Sequence, residues 1–383
     1  MKKKIAILGS TGSIGKCLID IIKKDKKNFE ISLLSADENY KELLRQAKFF
    51  KVKNLVITNT ESFNKIKKDT YSKKIKIFNN FDNLSEILKK KVDYTMSSIS
   101  GINGLKPTIE IISHTKKIAI ANKEAIICGW DLINSRLRKY KTEFIPVDSE
   151  HFSIWYSLKD INKNLIEQIY LTASGGPFLN KPLRNLKKAN IHQATNHPNW
   201  KMGQKISIDS ATMINKVFEV IEAKKIFQIS YNKLSIIIHP KSYVHAIIKF
   251  KNGLTKIVVH DTSMKIPIYN SLYSSKKVLN SKKLDFKILN NLDFRKVNNK
   301  KFPLVQILKM LPNKSSLFET VLVSINDKLV ELFLNKKIKF TDISIKMNKM
   351  LKLNRLKKYK KIKPKNIIQI IKMNTKIKNE IDY

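Results

Sequence analysis

Short apolar runs alternate with amphipathic segments over the first 150 residues. Residues 5–9 form an apolar run typical of a buried parallel strand, and residues 14–24 repeat apolar positions at helical spacing. Further strand candidates are residues 30–36, 54–58, 75–78, 94–97 and 117–121, with helix-like stretches between them, for example 40–50 and 84–89. Strands that alternate with helices over short connections predict an α/β fold with a doubly wound parallel sheet.

The pattern changes near Pro146, where longer strand candidates mix with helices and predict an α+β domain. Residues 313–383 contain no glycine and one proline, and their helical periodicity predicts a small C-terminal helical domain. The predicted organisation is an α/β domain over residues 1–147, an α+β domain over 148–279, a Lys- and Asn-rich connecting segment over 280–312, and a helical domain over 313–383.

The composition is that of a globular chain with more than one core. The 383 residues are 42% hydrophobic, which is enough to fill those cores. Cys17 and Cys128 do not make a disulfide framework. No apolar run approaches the roughly 20 residues of a membrane span, and the run after the basic N-terminus is too short for a signal sequence. We therefore expect a cytoplasmic protein of bacterial type.

The net charge of +44 is extreme and has two interpretations. A binder of nucleic acid or anionic membranes would carry such a charge, but so would a chain whose composition has drifted in an A/T-rich genome. We favour drift, because the lysines spread along the whole chain and no nucleic-acid-binding module is recognisable. We expect no specific nucleic-acid partner and no membrane partner, although a positive field would favour phosphorylated ligands.

A glycine-rich segment, Gly9-Ser10-Thr11-Gly12-Ser13-Ile14-Gly15, directly follows the first strand candidate and opens a helix. Glycines let the backbone approach a pyrophosphate, and a helix N-terminus offers N–H groups and partial positive charge. In this context the segment predicts a Rossmann-like, dinucleotide-binding domain over residues 1–147.

Asp37 and Glu38 follow the second strand candidate, where such domains read the ribose. An acid there usually bonds a free 2′-hydroxyl and repels a 2′-phosphate, which favours NAD(H) over NADP(H). The alternative is that both are loop carboxylates that point to water. Asn122, Lys123 and Glu124 follow the strand candidate at 117–121 and either border the nicotinamide or start a helix, with neither favoured by the sequence.

Asp148 and Glu150 are two residues apart, so on an extended segment they face the same side. Paired carboxylates repel unless they share a cation or proton, and oxygen ligands suit Mg²⁺ or Mn²⁺. An isolated pair of this kind is also common on exposed strands, and that alternative is favoured when the pair is taken alone.

Residues 174–204 form a long, mostly polar segment with a recognisable motif near each end. Ser174-Gly175-Gly176-Pro177 predicts a tight turn whose backbone N–H groups suit a phosphate. His197-Pro198-Asn199-Trp200 lies near the other end, so the segment could close as a lid with Trp200 as its apolar cap. An ordinary surface loop is the alternative.

Residues 209–222 predict a helix with Asn215, Glu219 and Glu222 on one face and Lys216 at its edge. Any amphipathic helix gives such a division. The spacing alone therefore does not distinguish a binding site from a solvated face.

Taken in order along the chain, these segments resemble the 1-deoxy-D-xylulose 5-phosphate reductoisomerase family, from about residue 4 to 345. The resemblance is carried by residues 9–15, 121–124, 146–151, 172–178, 197–200, 205–222 and 239–245. It implies that the chain rearranges 1-deoxy-D-xylulose 5-phosphate and reduces it to 2-C-methyl-D-erythritol 4-phosphate, a step of isoprenoid precursor biosynthesis. It also implies NADPH, one divalent cation (Mg²⁺ or Mn²⁺) and a homodimer.

The resemblance implies roles for individual residues. The metal ligands would be Asp148, Glu150 and Glu219, which with Lys123 are the catalytic candidates. The substrate contacts would be Ser149, Lys123, Ser174, His197, Trp200, Ser210, Asn215, Lys216 and Glu219, with residues 174–204 as the flap. The cofactor contacts would be Thr11, Gly12, Ser13, Ile14, Asn39, Asn122, Glu124 and Gly203.

Asp37 and Glu38 depart from the family pattern, which has a small or basic residue there, so NADH is a possible cofactor beside NADPH. Two other functions would explain part of the pattern. A related oxidoreductase without isomerisation would not need the three carboxylates, and a basic binding protein with a vestigial nucleotide domain would bind nucleic acid with a steep salt dependence.

Overall fold

A computed structural model describes residues 1–69, 74–273 and 277–381 of the chain. The strands are β1 Lys3–Leu8, β2 Phe29–Ala36, β3 Asn54–Ile57, β4 Lys76–Phe78, β5 Tyr94–Ser97, β6 Lys117–Ile120, β7 Glu143–Pro146, β8 Ile166–Ala173, β9 Leu234–Ile238, β10 Val244–Phe250, β11 Thr255–Val259 and β12 Arg295–Lys296.

The α-helices are α1 Ser13–Lys23, α2 Tyr40–Phe50, α3 Thr60–Lys67, α4 Leu84–Ile87, α5 Leu105–Ile111, α6 Lys123–Tyr140, α7 Ser149–Ser157, α8 Leu183–Leu186, α9 Ile191–Thr195, α10 Gln204–Ala211, α11 Ile214–Phe227, α12 Lys265–Leu272, α13 Phe286–Leu289, α14 Leu317–Leu334, α15 Phe340–Leu351, α16 Asn354–Lys357 and α17 Ile367–Asn379. Among the described residues, every helix is too short or too polar to cross a lipid bilayer.

The chain divides into two compact units. Unit 1 comprises Met1–Ala125, Asp131–Asp148 and Met264–Leu279, and unit 2 comprises Ile126–Trp130, Ser149–Ser263 and Asn280–Tyr383.

Unit 1 is built on a seven-stranded sheet in the order β4-β3-β2-β1-β5-β6-β7, with every pair parallel. Its central strands are nearly continuous apolar runs because helices cover both faces of a parallel sheet, and Ile5 to Leu8 are all fully buried. The predicted α/β class with a doubly wound parallel sheet is confirmed.

Unit 2 contains a five-stranded mixed sheet in the order β11-β10-β8-β9-β12. Helices α7 and α11 contribute Ile154, Val220 and Phe227 to the apolar core at this sheet. Helices α14 to α17 occupy the region where helical periodicity predicted them. The predicted connecting segment, 280–312, contains α13, β12 and a 3-10 helix at Pro303–Met310, and β12 joins the sheet through β9.

The division into units differs from the predicted domain limits in residues 126–130, which belong to unit 2, and in Asp148 and residues 264–279, which belong to unit 1. Residues 264–279 were assigned to the α+β domain, whereas α12 packs within unit 1. Ile268 and Leu272 are buried in the core of the parallel sheet, and the hydroxyls of Ser271 and Tyr94 lie 2.7 Å apart. The sequence between residues 148 and 279 contains no signal that α12 returns to the first sheet. The four-domain division itself stays a prediction.

Candidate active site

The glycine-rich segment of unit 1 lies between β1 and α1, as the sequence predicts. Gly9 has a φ of +80°, and a Cβ on it would lie 2.9 Å from the carbonyl oxygen of Ser98. A Cβ on Gly15 would lie 2.3 Å from the carbonyl oxygen of Gly9. Any larger residue at either position would push the loop away from the strand ends. Thr11 to Ile14 remain at least partly exposed at the N-terminus of α1, where N–H groups suit an anion.

This loop lies where the strand order of the sheet reverses. Strands β1 and β5 are neighbours, and the chain proceeds outward from them in opposite directions. Ligands of doubly wound sheets bind beyond the carboxyl ends of the strands at such a point. The geometry of unit 1 therefore suits a dinucleotide at the loop between β1 and α1.

Asp37, Glu38 and Asn39 lie directly after β2, and all three are exposed. The Asp37 carboxylate accepts a hydrogen bond of 2.7 Å from the Thr58 hydroxyl. Asn39 caps α2, because its side-chain oxygen accepts from the backbone N–H of Glu42 at 3.2 Å. The Asp37 carboxylate is thus held at the strand end where such domains read the ribose, and the exposed Glu38 follows it in the chain.

Of the two interpretations left open by the sequence, the helix start at Asn122 and Lys123 is confirmed, and the nicotinamide contact stays a prediction. Asn122 is the N-cap of α6, and its side-chain oxygen accepts from the backbone N–H of Ala125 at 2.8 Å. Its amide also donates to the carbonyl oxygen of Gly101 at 2.8 Å, so it fixes the loop after β5. Lys123 is buried and pairs with Asp148 at 3.2 Å, within unit 1, and Glu124 follows it in the first turn.

The segment with Asp148 and Glu150 is not extended, so the prediction that both face one side of a strand is wrong. Strand β7 ends at Pro146 and α7 begins at Ser149, which places Glu150 in the first turn of a helix. The Ser149 hydroxyl donates to Glu150 Oε2 at 2.6 Å and fixes that carboxylate. Asp148 and Glu150 are two residues apart in the sequence whether the segment is a strand or a helix. Only the structure distinguishes these two conformations.

In unit 2 the predicted face of α11 is buried rather than solvated. The side chains of Lys216 and Glu219 are 7% and 2% exposed, and they form a close ion pair. Lys216 Nζ also lies 3.1 Å from Glu150 Oε1, and the Asn215 amide donates to Glu219 Oε1 at 2.5 Å. Oxygen atoms of Glu150 and Glu219 lie within 4.8 Å of one another.

A second buried pair, His151 and Glu222, adjoins this cluster, and neither residue was among the predicted site residues. His151 Nδ1 lies 3.5 Å from Glu222 Oε2, and His151 Nε2 lies 2.9 Å from the backbone oxygen of Glu219. His151 follows Glu150 directly and Glu222 is one helical turn after Glu219, so sequence spacing could have indicated them.

The buried acids of unit 2 suit a divalent cation. The carboxylates of Glu150 and Glu219 lie close together and both pair with the ammonium of Lys216, and two carboxylates this close repel unless positive charge is shared. Carboxylate oxygens are the ligands that Mg²⁺ and Mn²⁺ prefer. Asp148, the last residue of this part of unit 1, precedes Glu150 by two residues along the chain.

Ser174 and His197 form a hydrogen-bonded pair at the two ends of the predicted flap. His197 Nδ1 accepts from the backbone N–H groups of Asn199 and Trp200, each at 3.1 Å. Its Nε2 therefore carries the proton and donates to Ser174 Oγ at 2.9 Å. Burial, with the nearby positive charge of Lys216, lowers the pKa of His197 to about 4, so the ring is neutral at pH 7.

A close backbone approach joins the turn that contains Ser174 to the end of α10, which contains Ser210. Gly176 has a φ of +67°, and a Cβ there would lie 2.9 Å from both the carbonyl oxygen of Ser210 and the Cα of Ala211. The backbone N–H of Gly176 donates to Ser174 Oγ at 3.0 Å. The turn after β8 thus packs directly on the end of α10, with both serines half-buried.

The flap residues contain the short helices α8 and α9 rather than a plain loop. Trp200 is half-buried, with its ring edge-on to His245 at a centroid distance of 6.2 Å. The Asn199 amide donates to the backbone oxygen of Pro240 at 2.6 Å. Gly203 is exposed and is the N-cap of α10.

Comparison with known proteins identifies the family. The family model of 1-deoxy-D-xylulose 5-phosphate reductoisomerase matches residues 5–129, and models of its C-terminal domain match residues 144–227 and 260–380. The protein of that name from Pelagibacter ubique (strain HTCC1062) is 57% identical over 375 residues, which are 97% of this chain and 97% of the relative. This chain belongs to the 1-deoxy-D-xylulose 5-phosphate reductoisomerase family.

Other reductoisomerases agree. The one from Sulfurihydrogenibium sp. (strain YO3AOP1) is 38% identical, with 89% of this chain and 88% of the relative covered. The reductoisomerase of Zymomonas mobilis in complex with NADPH matches with a TM-score of 0.87 and 30% identity, over 99% of this chain and 98% of that one. A DOX-P reductoisomerase in complex with NADPH, fosmidomycin and magnesium gives a TM-score of 0.90 and 29% identity, over 99% and 97%. The predicted family is confirmed.

Gly176→Ala is expected to separate Ser174 from Ser210, because the added Cβ meets backbone atoms and the positive φ strains any side chain. We expect at least a tenfold loss of substrate kcat/KM, measured by NADPH oxidation. The matched control is Gly253→Ala, which also has a positive φ, of +86°, but has no atom within 4 Å of the added Cβ. Equal losses in the two variants would contradict the close-approach role.

Proposed function

We propose that this protein is a reductoisomerase that converts 1-deoxy-D-xylulose 5-phosphate to 2-C-methyl-D-erythritol 4-phosphate with NADPH and Mg²⁺ or Mn²⁺. Family membership supports the reaction. The observation that carries the proposal is the cluster of Glu150, Lys216 and Glu219. The hydrogen-bonded pair of Ser174 and His197 lies near this cluster, because the charge of Lys216 contributes to the lowered pKa of His197. One group suits a cation and the other a phosphorylated ligand.

The cofactor is assigned to the loop between β1 and α1. Thr11, Gly12, Ser13 and Ile14 would present backbone N–H groups to the pyrophosphate, with the N-terminus of α1 behind them. We assign further cofactor contacts to Asn39, Asn122, Glu124 and Gly203. Of these, Asn122 also fixes the loop after β5.

The cation is assigned to Asp148, Glu150 and Glu219. When bound, the cation would polarise the keto and hydroxyl oxygens of the substrate as a Lewis acid, and NADPH would supply the hydride. The Ser149 hydroxyl donates to one carboxylate oxygen of Glu150, and the Asn215 amide donates to one carboxylate oxygen of Glu219. Each hydrogen bond fixes the direction in which the second oxygen of the same carboxylate points. Lys123 pairs with Asp148 at 3.2 Å and so orients that carboxylate.

The substrate phosphate is assigned to Ser174, Ser210, Asn215 and Lys216. Ser174 Oγ accepts from His197 and from the backbone of Gly176, so its own proton is directed toward an acceptor in the site. A neutral His197 maintains that arrangement at pH 7, because a protonated ring would oppose both backbone donors.

The phosphate lies away from the reacting carbons, so its binding energy can drive closure of the flap instead of stabilising the ground state alone. Residues 174–204 carry Trp200, whose ring would exclude water from the site.

The reaction is tested directly by NADPH oxidation, which we expect only when 1-deoxy-D-xylulose 5-phosphate and Mg²⁺ or Mn²⁺ are both present. Glu219→Gln should lower kcat about 100-fold or more, since a ligand of the cation is lost, and leave NADPH affinity within twofold. The matched control is Glu167→Gln, which removes an exposed carboxylate paired with Lys249.

Two outcomes would count against the assignments. A wild-type protein without turnover under these conditions contradicts the proposed reaction. A wild-type rate in Glu219→Gln removes Glu219 from the metal site.

Asp37 and Glu38 should weaken the preference for NADPH, because they directly follow β2, the strand after which such domains read the ribose. Asp37→Asn with Glu38→Gln removes both charges and keeps an acceptor for Thr58. We expect the ratio of kcat/KM for NADPH to that for NADH to rise about tenfold, chiefly through the KM of NADPH. Glu30→Gln, at the start of β2, is the control, and an unchanged ratio in the double variant places the two acids away from the ribose.

A homodimer, also a family expectation, is part of the proposal. Strand β11 is an outer strand of its sheet and carries the exposed Ile257, an edge that can pair with a second copy. Light scattering should give twice the chain mass of 44.4 kDa, and a monomer at assay concentration would contradict the dimer. Cytoplasmic localisation and the lack of a specific nucleic-acid partner stay predictions.

A further inference from the structure

A buried polar contact joins α10 to α14 within unit 2. The Asn326 amide donates to Asp209 Oδ1 at 2.8 Å, and the two residues are 0% and 2% exposed. Lys205 Nζ lies 3.1 Å from the other oxygen, Asp209 Oδ2. A carboxylate this deeply buried is costly unless both oxygens have partners, so the pair fixes Asp209 in one position.

The contact continues into a chain of ion pairs. Lys205 also lies 3.1 Å from Asp327 Oδ1, and Lys378 of α17 lies 3.3 Å from Asp327 Oδ2. Lys205 is the second residue of α10 and directly follows the flap segment. The end of the flap is therefore connected to α14 and α17 through charged side chains.

Ser210 follows Asp209, and the backbone beyond it does not continue the helix. Helix α10 ends at Ala211, and Met213 has a φ of +64°, a left-handed conformation that is strained for a residue with a side chain. Helix α11 begins at the next residue. Two helices thus meet at a sharp turn between Ser210 and Asn215, so the position of Ser210 depends on what holds the last turn of α10.

We propose that Asp209 and Asn326 are a positioning pair that holds Ser210 in place for the substrate phosphate. The inference rests on the proposed phosphate role of Ser210. Asn326 supplies a donor without charge, Lys205 neutralises Asp209, and the last turn of α10 is held against α14. Helix α14 thereby determines the geometry of a phosphate contact more than 100 residues earlier in the chain.

The test is an exchange of the two side chains. Asn326→Asp sets one carboxylate against another at almost unchanged volume, and we expect the KM for 1-deoxy-D-xylulose 5-phosphate to rise tenfold or more. The KM for NADPH should stay within twofold, because the cofactor loop belongs to unit 1. Adding Asp209→Asn restores an amide–carboxylate hydrogen bond of reversed direction, and we expect the substrate KM to return to within about threefold of the wild type.

The matched control lies on the same helix. Ser324 is also buried, but its hydroxyl faces Asn374 of α17 at 2.9 Å instead of α10. Ser324→Ala should leave the substrate KM unchanged. A purely structural role for Asn326 would lower the melting temperature and the active fraction with an unchanged KM, and that result overturns the proposal, as does a double variant that folds without regaining the KM.

Calorimetric titration with inorganic phosphate measures the same contact without turnover. We expect Asn326→Asp to weaken phosphate binding and the double variant to restore it, and an unchanged affinity overturns the positioning pair. A wild type that binds phosphate but does not turn over contradicts the proposed function instead. If Asn326→Asp does not fold, Asn326→Ala removes the donor without adding charge, and a KM rise in the same direction is expected.

Discussion

The buried charges of α11 constrain the whole of unit 2. Lys216 and Glu219 are almost inaccessible to water, and moving such ions from water into a protein costs several kcal/mol each unless partners compensate. Glu150 and Asn215 provide part of that compensation, and α11 also contributes Val220 and Phe227 to the sheet core. The helix therefore cannot move without exposing apolar surface or separating charges, so the carboxylates are held in place before any ligand binds.

The same helix is anchored at its other end by a second buried ion pair. Lys225 lies 3.2 Å from Glu319 of α14, and both side chains are under 10% exposed. Because α14 also contacts α10 through Asn326, a single long helix braces both helices that carry the candidate phosphate contacts. This accounts for the place of the C-terminal helices in unit 2: they support the site without contributing a predicted ligand to it.

Close backbone packing at glycines recurs at both candidate anion sites. Gly9 and Gly15 bring a loop against the strand ends in unit 1, and Gly176 brings a turn against α10 in unit 2. In each case a missing Cβ lets backbone approach backbone, so that N–H groups and hydroxyls cluster where a phosphate can meet them. The net charge of +44 adds a general attraction for phosphorylated ligands but no geometry.

The sequence by itself determined the parallel sheet, the glycine-rich loop and the family, because apolar runs and ordered motifs are local properties of the chain. It did not determine whether the face of Asn215, Glu219 and Glu222 is solvated, since helical spacing states which residues share a face but not what covers it. It placed Glu150 on an extended segment, although a helix begins at Ser149. The return of α12 to the first sheet and the contact of Asn326 with Asp209 were decided by tertiary packing alone, because residues over 100 positions apart meet only once the chain has folded.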